Sequence, residues 1–382
     1  MLVPQLLVPQ LLVRQYACRM RRFPDGFLFG VASSGHQTEG DNTDSDTWFL
    51  ENVQPTAFAE PSGRACNSWE LWREDLDLVQ AVGLGAFRFS LEWARIEPRE
   101  GAFSGEALEH YAAIVDGCSR RGLAPVVTLN HMTSPHWFAQ RGSWLDPAAP
   151  ALFARYCEKV MDQFGDRIAA AVTLNEPNFS PLLSWVDMPA SVRELERAML
   201  EAAGVAAGVP RYRVSNILLP EEFDAMRDGM TAGHVAAREA LKARRPDLPV
   251  GLSIAIVDDR VAGEDPTLRD RKRTEVYDHW LRLAGEDDFI GIQNYESAVY
   301  NADGLLPPPQ GATLNELGSA IDPASLGGAA RYAHEVSGVP VFVTEHGISV
   351  GDDTLRAGFI EPSLAGLLDA MDDGVPVLGY CH

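Results

Sequence analysis

Two glutamates in this chain follow short apolar runs, at positions where a β-strand would end. Glu176 follows "AAAVTLN" and directly precedes Pro177, which disfavours helix at the glutamate and marks a strand end. Glu345 follows "PVFVT". A single glutamate at a strand end is usually just solvated. Two carboxyl groups that face each other can instead hydrolyse a glycosidic bond, because one protonates the leaving oxygen while the other attacks or activates water.

Other polar and aromatic side chains close to the ends of such runs are suited to binding a sugar. Sugar hydroxyl groups need donors and acceptors, apolar sugar faces need aromatic walls, and an arginine beside one carboxylate would keep that carboxylate ionised. The suitable side chains are Gln37, Trp93, His131, Trp137 and Asn175. Glu39, Asn130 and Tyr295 also lie at the ends of these runs, and Arg88 lies within the second run.

The elements that must position these residues form a regular alternation. Eight short runs rich in β-branched and aromatic residues are separated by helix-like segments whose apolar residues recur at spacings of three and four. The runs are "FLFGVASS", "AFRFSLEW", "APVVTLNH", "AAAVTLNEP", "PVGLSIAIV", "DFIGIQNY", "PVFVTEHG" and "PVLGYCH". Continuous apolar runs are typical of strands buried on both faces. Eight such units, with no phosphate loop among them, predict an α/β fold, the (β/α)8 or TIM barrel, with catalytic groups at the C-terminal strand ends.

Composition narrows the class of protein. The chain has 382 residues, which one barrel can accommodate, and a formal net charge of -22, which should repel nucleic acid and anionic membranes. Five cysteines show neither metal-site nor disulfide-framework spacing, and no histidine pair has metal-ligand spacing. No apolar run is long enough to span a bilayer. We therefore expect a cytoplasmic protein without a metal site.

The first twenty residues differ from the rest. "MLVPQLLVPQLLVRQ" repeats LVPQL, and the composition shifts at "MRRFPDGF". We interpret residues 1–20 as a non-native or mis-assigned leader, with a secretory signal peptide as the alternative, and residues 21–382 as the barrel domain.

Six motifs in order resemble glycoside hydrolase family 1, the β-glucosidase family. "FPDGFLFGVASSGHQTEG" is similar to its opening signature F-x-x-G-x-A-x-x-x-x-Q-x-E-G, and "AFRFSLEWARIEP" to Y-R-F-S-I-S-W-x-R-I-x-P. "TLNHMTSPHWF", "TLNEPN", "DFIGIQNY" and "VTEHGI" resemble T-L-x-H-x-x-x-P-x-W, T-x-N-E-P, D-F-I-G-I-N-Y-Y and I/V-T-E-N-G. The resemblance runs from Phe23 to His382.

The resemblance implies a role for each matching residue. Glu176 would be the general acid and then the general base, and Glu345 would be the nucleophile. Arg88 and Tyr295 would contact that nucleophile.

Three further matching residues would bind the sugar. Gln37, His131 and Asn175 would bind hydroxyl groups in the subsite where cleavage occurs. No cofactor is implied, because two carboxylates do the chemistry.

The sequence departs from the family pattern in places. Gln293 precedes Asn294 and Tyr295, so the usual leading Asn is displaced, and His346 stands where Asn is more usual. The final run "PVLGYCH" stops where the family continues W-S-L-x-D-N-x-E-W. We therefore expect a C-terminally incomplete barrel, with its eighth strand cut short and its final helix missing.

These observations predict a retaining β-glycosidase, β-glucosidase-like, that acts on a small β-glycoside or oligosaccharide by double displacement. One alternative is another barrel glycosidase with the same Glu pair, such as a cellulase-like enzyme. The other is a catalytically dead or truncated barrel that at most binds sugar. The preference among glucose, galactose, fucose and 6-phospho sugars, and the oligomeric state, stay open.

Overall fold

The computed structural model describes residues 22–186 and 188–382. The predicted leader, residues 1–20, lies outside these ranges. Within them the chain alternates strands and helices, beginning with a strand, as the sequence pattern predicts.

Eight parallel strands close into a barrel, and three short strands form a separate sheet. The barrel order is β1-β11-β10-β7-β5-β4-β3-β2, and the small sheet has the order β6-β8-β9. The strands are β1 (Leu28–Ala32), β2 (Ala86–Ser90), β3 (Ala124–Asn130), β4 (Ala170–Asn175), β5 (Val250–Ala255), β6 (Asp258–Val261), β7 (Phe289–Asn294), β8 (Ser297–Asn301), β9 (Gly304–Leu305), β10 (Val341–His346) and β11 (Val377–Cys381).

Helices connect successive barrel strands. They are α1 (Gly35–Thr38), α2 (Asp46–Glu51), α3 (Ser68–Ala81), α4 (Trp93–Ile96), α5 (Gly105–Arg120), α6 (His136–Gln140), α7 (Ala149–Phe164), α8 (Phe179–Leu183), α9 (Ala190–Ala207), α10 (Phe223–Arg244), α11 (Thr267–Val276), α12 (Asp278–Leu283), α13 (Ser325–Ser337) and α14 (Asp353–Asp372). Single 3-10 turns lie at Ser143–Leu145, Pro220–Glu222 and Ala284–Glu286.

All eight predicted runs form the barrel, so the predicted (β/α)8 fold is confirmed. The eighth strand, expected to be cut short, spans the five residues of β11. It pairs with β1 through Leu28 and Gly379 and with β10 through Val341 and Val377, and this pairing closes the barrel. Because every barrel strand is parallel, all C-terminal strand ends open at one mouth.

The barrel interior is a packed core and not a pore. Side chains from five strands fill it: Val126, Ala170, Val172, Phe289, Phe342 and Cys381. A larger apolar layer lies between the strands and the surrounding helices. This packing holds the strand ends rigidly, which is what a catalytic constellation requires.

Candidate active site

One extra residue lies just before each glutamate, in β4 ahead of Glu176 and in β10 ahead of Glu345. On β4, Val172 pairs with Gly251 and Asn175 pairs with Ser253, so three steps along β4 match two along β5. On β10, Val343 pairs with Ile292 while Glu345 pairs with Gln293 of β7. Such bulges redirect side chains and are common next to active sites. Here they determine which neighbours face Asn175 and Glu345.

Glu176 lies just beyond β4 in a left-handed backbone conformation, with φ of 45°. This conformation is uncommon for residues other than glycine and costs free energy, so it persists only where the surroundings enforce it. The Glu176 N–H donates to the carbonyl of Ser253 at 2.8 Å, and Pro177 follows. The backbone at the barrel mouth therefore imposes the position of this carboxyl group.

The Glu345 carboxylate accepts hydrogen bonds from three side chains, one on β2, one on β7 and one on the residue directly after β7. Arg88, whose side chain is fully buried, donates from Nη1 to Oε1 at 2.5 Å. The Tyr295 hydroxyl donates to Oε2 at 2.6 Å. Gln293 donates from Nε2 to Oε1 at 2.8 Å. Donors of this kind stabilise the ionised form and hold its orientation.

Asn175 shares two of these donors. Its Oδ1 accepts from Arg88 Nη2 at 2.5 Å and from Gln293 Nε2 at 2.6 Å. Its Nδ2 lies 3.1 Å from Nε2 of His131. Because Asn175 must act as the donor there, Nε2 of His131 carries no proton. Burial lowers the pKa of His131 to about 4, which is consistent with a neutral imidazole.

The two carboxyl groups are shifted in opposite directions. The residue Glu176 is half-buried, but its carboxyl group is shielded from water. This desolvation is the larger cause, and the charge of Glu345 the smaller cause, that raises the pKa of Glu176 to about 8. No described residue donates a hydrogen bond to that carboxyl group. Burial would also raise the pKa of Glu345, but the charge of Arg88 and the hydrogen bonds from Tyr295 and Arg88 outweigh it and hold the pKa below its ordinary value. At neutral pH one group is thus an acid and the other an anion.

Two depressions are lined by residues of this site. One is lined by Gln37, His131, Tyr295, Glu345 and His382, together with backbone near β1. The other is lined by Asn175 and Glu176 among other residues. Gln37 is exposed at the mouth, where its Oε1 accepts from the Ser34 hydroxyl at 2.6 Å.

The structure brings all seven predicted site residues to one barrel mouth. Glu345, Arg88, Tyr295, Asn175 and His131 form a continuous hydrogen-bonded network. Gln37 lines the same pocket as Glu345. Glu176 interacts with Glu345 through the negative charge of Glu345, which raises the pKa of Glu176.

The expectation that Trp93 could form a wall for the sugar is wrong. Trp93 begins α4, is completely buried, and stacks on Tyr156 within the core with its indole N–H on Glu97.

Two residues at the site were not predicted as functional. Gln293 contacts both Asn175 and Glu345, and the only signal in the sequence was its displacement of the usual Asn in the motif "DFIGIQNY". His382 follows β11 and lines the pocket with Glu345. Over residues 22–186 and 188–382, no group of three or more His, Cys, Asp or Glu side chains is arranged to hold a metal ion. Nor does this part of the chain contain a helix with the length and apolar character needed to cross a membrane.

Comparison with known proteins gives consistent matches. Residues 19–198 match the model of "Glycosyl hydrolase family 1". The chain is 24% identical to Beta-glucosidase A of Thermotoga maritima, over 94% of this chain and 88% of that protein. The crystal structure of the β-glycosidase BGL167 is 41% identical, covers 94% of this chain and 86% of its own, and superposes with a TM-score of 0.87. The apo structure of β-glucosidase 1317 is 35% identical, covers 94% and 88%, and has a TM-score of 0.89.

Proposed function

The chain belongs to glycosyl hydrolase family 1 and is a β-glycosidase, and from that premise we propose that it hydrolyses small β-glycosides or oligosaccharides with retention, through a glycosyl-enzyme. The observation that supports this mechanism best is the opposite pKa shift of Glu176 and Glu345 at one barrel mouth. When their environments give two carboxyl groups different pKa values, the group with the higher pKa can act as the acid and the group with the lower pKa as the nucleophile.

In the first step, a lone pair of the ionised Glu345 carboxylate forms a bond to the anomeric carbon. The bond from that carbon to the leaving oxygen breaks, and its electron pair stays on the oxygen. Glu176, protonated at neutral pH, donates its proton to that oxygen. Arg88 and Tyr295 keep Glu345 ionised and oriented before the attack.

In the second step, the ester at Glu345 no longer carries a negative charge. That charge is one of the two causes that raise the pKa of Glu176, so the pKa of Glu176 falls once the ester forms. Glu176, now ionised, removes a proton from water, and the water oxygen attacks the anomeric carbon and releases Glu345. The same residue therefore acts first as acid and then as base.

The polar side chains of the pocket would bind the sugar. His131, held neutral, and Asn175, held by Arg88 and Gln293, present defined hydrogen-bonding atoms. Gln37 lies exposed across the pocket. We propose that these three residues bind hydroxyl groups of the sugar that is cleaved.

The test is turnover of a nitrophenyl β-glucoside, with NMR of the first sugar anomer released. We expect turnover and initial release of the β-anomer. The matched control is Glu194→Ala, which removes an exposed carboxyl group from the outer helix α9 and should leave the rate unchanged.

Other outcomes of the same test identify the alternatives. Sugar binding without turnover would show a catalytically dead barrel. Turnover of long β-glucans in preference to small glycosides would show a cellulase-like enzyme. Initial release of the α-anomer would contradict retention.

A further inference from the structure

Gln293 is buried against the proposed nucleophile, and the mechanism described above uses it only to hold Asn175. It is 1% exposed and lies on β7 between β5 and β10. The bulge on β10 places Glu345 opposite Gln293 by skipping Thr344 in the pairing; without that extra residue Glu345 would face the next position of β7. The strand register therefore builds this contact.

Both protons of the Gln293 amide are committed. One donates to Asn175 Oδ1 at 2.6 Å and the other to Glu345 Oε1 at 2.8 Å. The orientation of the amide follows from Arg88, which can only donate and which also contacts both of those oxygens. Oxygens that accept from Arg88 cannot donate, so Gln293 must turn its NH2 group toward them.

The two oxygens of Glu345 are consequently unequal. Oε1 accepts from Arg88 and Gln293, while Oε2 accepts only from Tyr295 among the described residues. A carboxylate oxygen has about two lone-pair directions. Oε1 is therefore saturated, and Oε2 keeps a lone pair.

We propose that Gln293 is a positioning residue that commits Oε1 of Glu345 to the barrel wall and leaves Oε2 to attack the anomeric carbon. This inference rests on the proposed function. In the attack, the free lone pair of Oε2 forms the bond to carbon and the leaving oxygen departs with its electron pair and the Glu176 proton. Oε1 becomes the carbonyl oxygen of the ester and keeps its donors from Arg88 and Gln293.

The test is the rate at which an activated 2-deoxy-2-fluoro-β-glucoside traps the glycosyl-enzyme, followed by intact mass. Gln293→Met keeps the length of the side chain but removes the N–H donors. We expect trapping to slow by about ten- to a hundredfold, the loss typical of a hydrogen bond to a charged group. The acid limb of kcat/KM should also move to higher pH, because a donor that favours the ionised Glu345 is gone. A merely structural role would not move that limb.

Controls separate this inference from the proposed function. Gln80→Glu alters an exposed glutamine on α3 and should trap at the parental rate. If Gln293→Met does not fold, Gln293→Glu replaces it, because this variant keeps the shape of the side chain but has no N–H donors. The inference then requires that Gln293→Glu slow the formation of the glycosyl-enzyme by at least about tenfold. A crystal structure of the trapped parent should show the sugar on the oxygen nearer Tyr295.

Two results would overturn the inference. Parental trapping rates together with an unmoved acid limb in a folded Gln293 variant would overturn the role of Gln293 alone. A parent protein that forms no glycosyl-enzyme would overturn the proposed function, and this inference with it.

Discussion

The raised pKa of Glu176 predicts where activity falls on the alkaline side. With a pKa of about 8, about nine in ten Glu176 carboxyl groups are protonated at pH 7. A glutamate with the ordinary value of 4.5 would be protonated in about one molecule in 300 at that pH. Desolvation and the Glu345 charge thus increase the acid form about 300-fold. We expect kcat/KM for an alkyl β-glucoside, a poor leaving group, to fall above pH 8, as Glu176 loses its proton.

The Glu176→Ala variant tests this assignment. Loss of the proton donor should lower kcat/KM for the alkyl glucoside by about 10²–10⁴-fold and remove the alkaline limb. A dinitrophenyl β-glucoside needs little protonation, so the first step should be nearly unchanged and the glycosyl-enzyme should accumulate as a burst. Glu194→Ala serves as the control. An alkaline limb that persists in Glu176→Ala, or an equal loss of the first step for both substrates, would refute the reasoning.

Three further predictions concern the proposed nucleophile, the separation of the two carboxyl groups and a buried aspartate. Glu345→Ala should abolish glycosyl-enzyme formation even with the dinitrophenyl substrate, as seen by the absence of a burst, and a burst in this variant would contradict the nucleophile assignment. A crystal structure should place the carboxyl groups of Glu176 and Glu345 about 5–5.5 Å apart, whereas about 9 Å would favour inversion. Asp46 is completely buried, and desolvation raises its pKa from 3.8 to about 7. The folded state therefore binds the carboxyl proton more tightly than the unfolded state does, and the protein loses stability as the pH rises from about 4 to about 7. The Tm of Asp46→Asn minus the Tm of the parent should therefore be larger at pH 8 than at pH 5. An equal Tm difference at the two pH values would contradict this.

The strands of the barrel could be predicted because their burial is unusual. A strand covered on both faces must be largely apolar, as in the "FIGI" that opens β7, and this pattern is visible without knowledge of the fold. The small sheet of β6, β8 and β9 was not predicted. Its strands, "DDRV", "SAVYN" and "GL", are short and partly polar, so they resemble loop sequence.

Some features of the candidate site follow from the order of the strands and could be predicted, whereas others depend on local backbone geometry and could not. A closed parallel barrel brings every strand end to one mouth, so the residue types at those ends were enough to predict that Glu176, Glu345, Arg88 and Asn175 would meet. The bulges on β4 and β10 and the left-handed backbone at Glu176 have no comparable sequence signature, because many sequences tolerate an extra residue in a strand.

Those local features decide the relations among atoms. One added residue on β10 places Glu345 opposite Gln293, and that pairing leaves the two oxygens of the proposed nucleophile with different numbers of donors. The same limit explains the error at Trp93, whose motif position gave no indication that its ring turns into the core. Sequence order therefore predicts which residues meet at the mouth of such a barrel, whereas the strand register decides which atom of each residue is free to react.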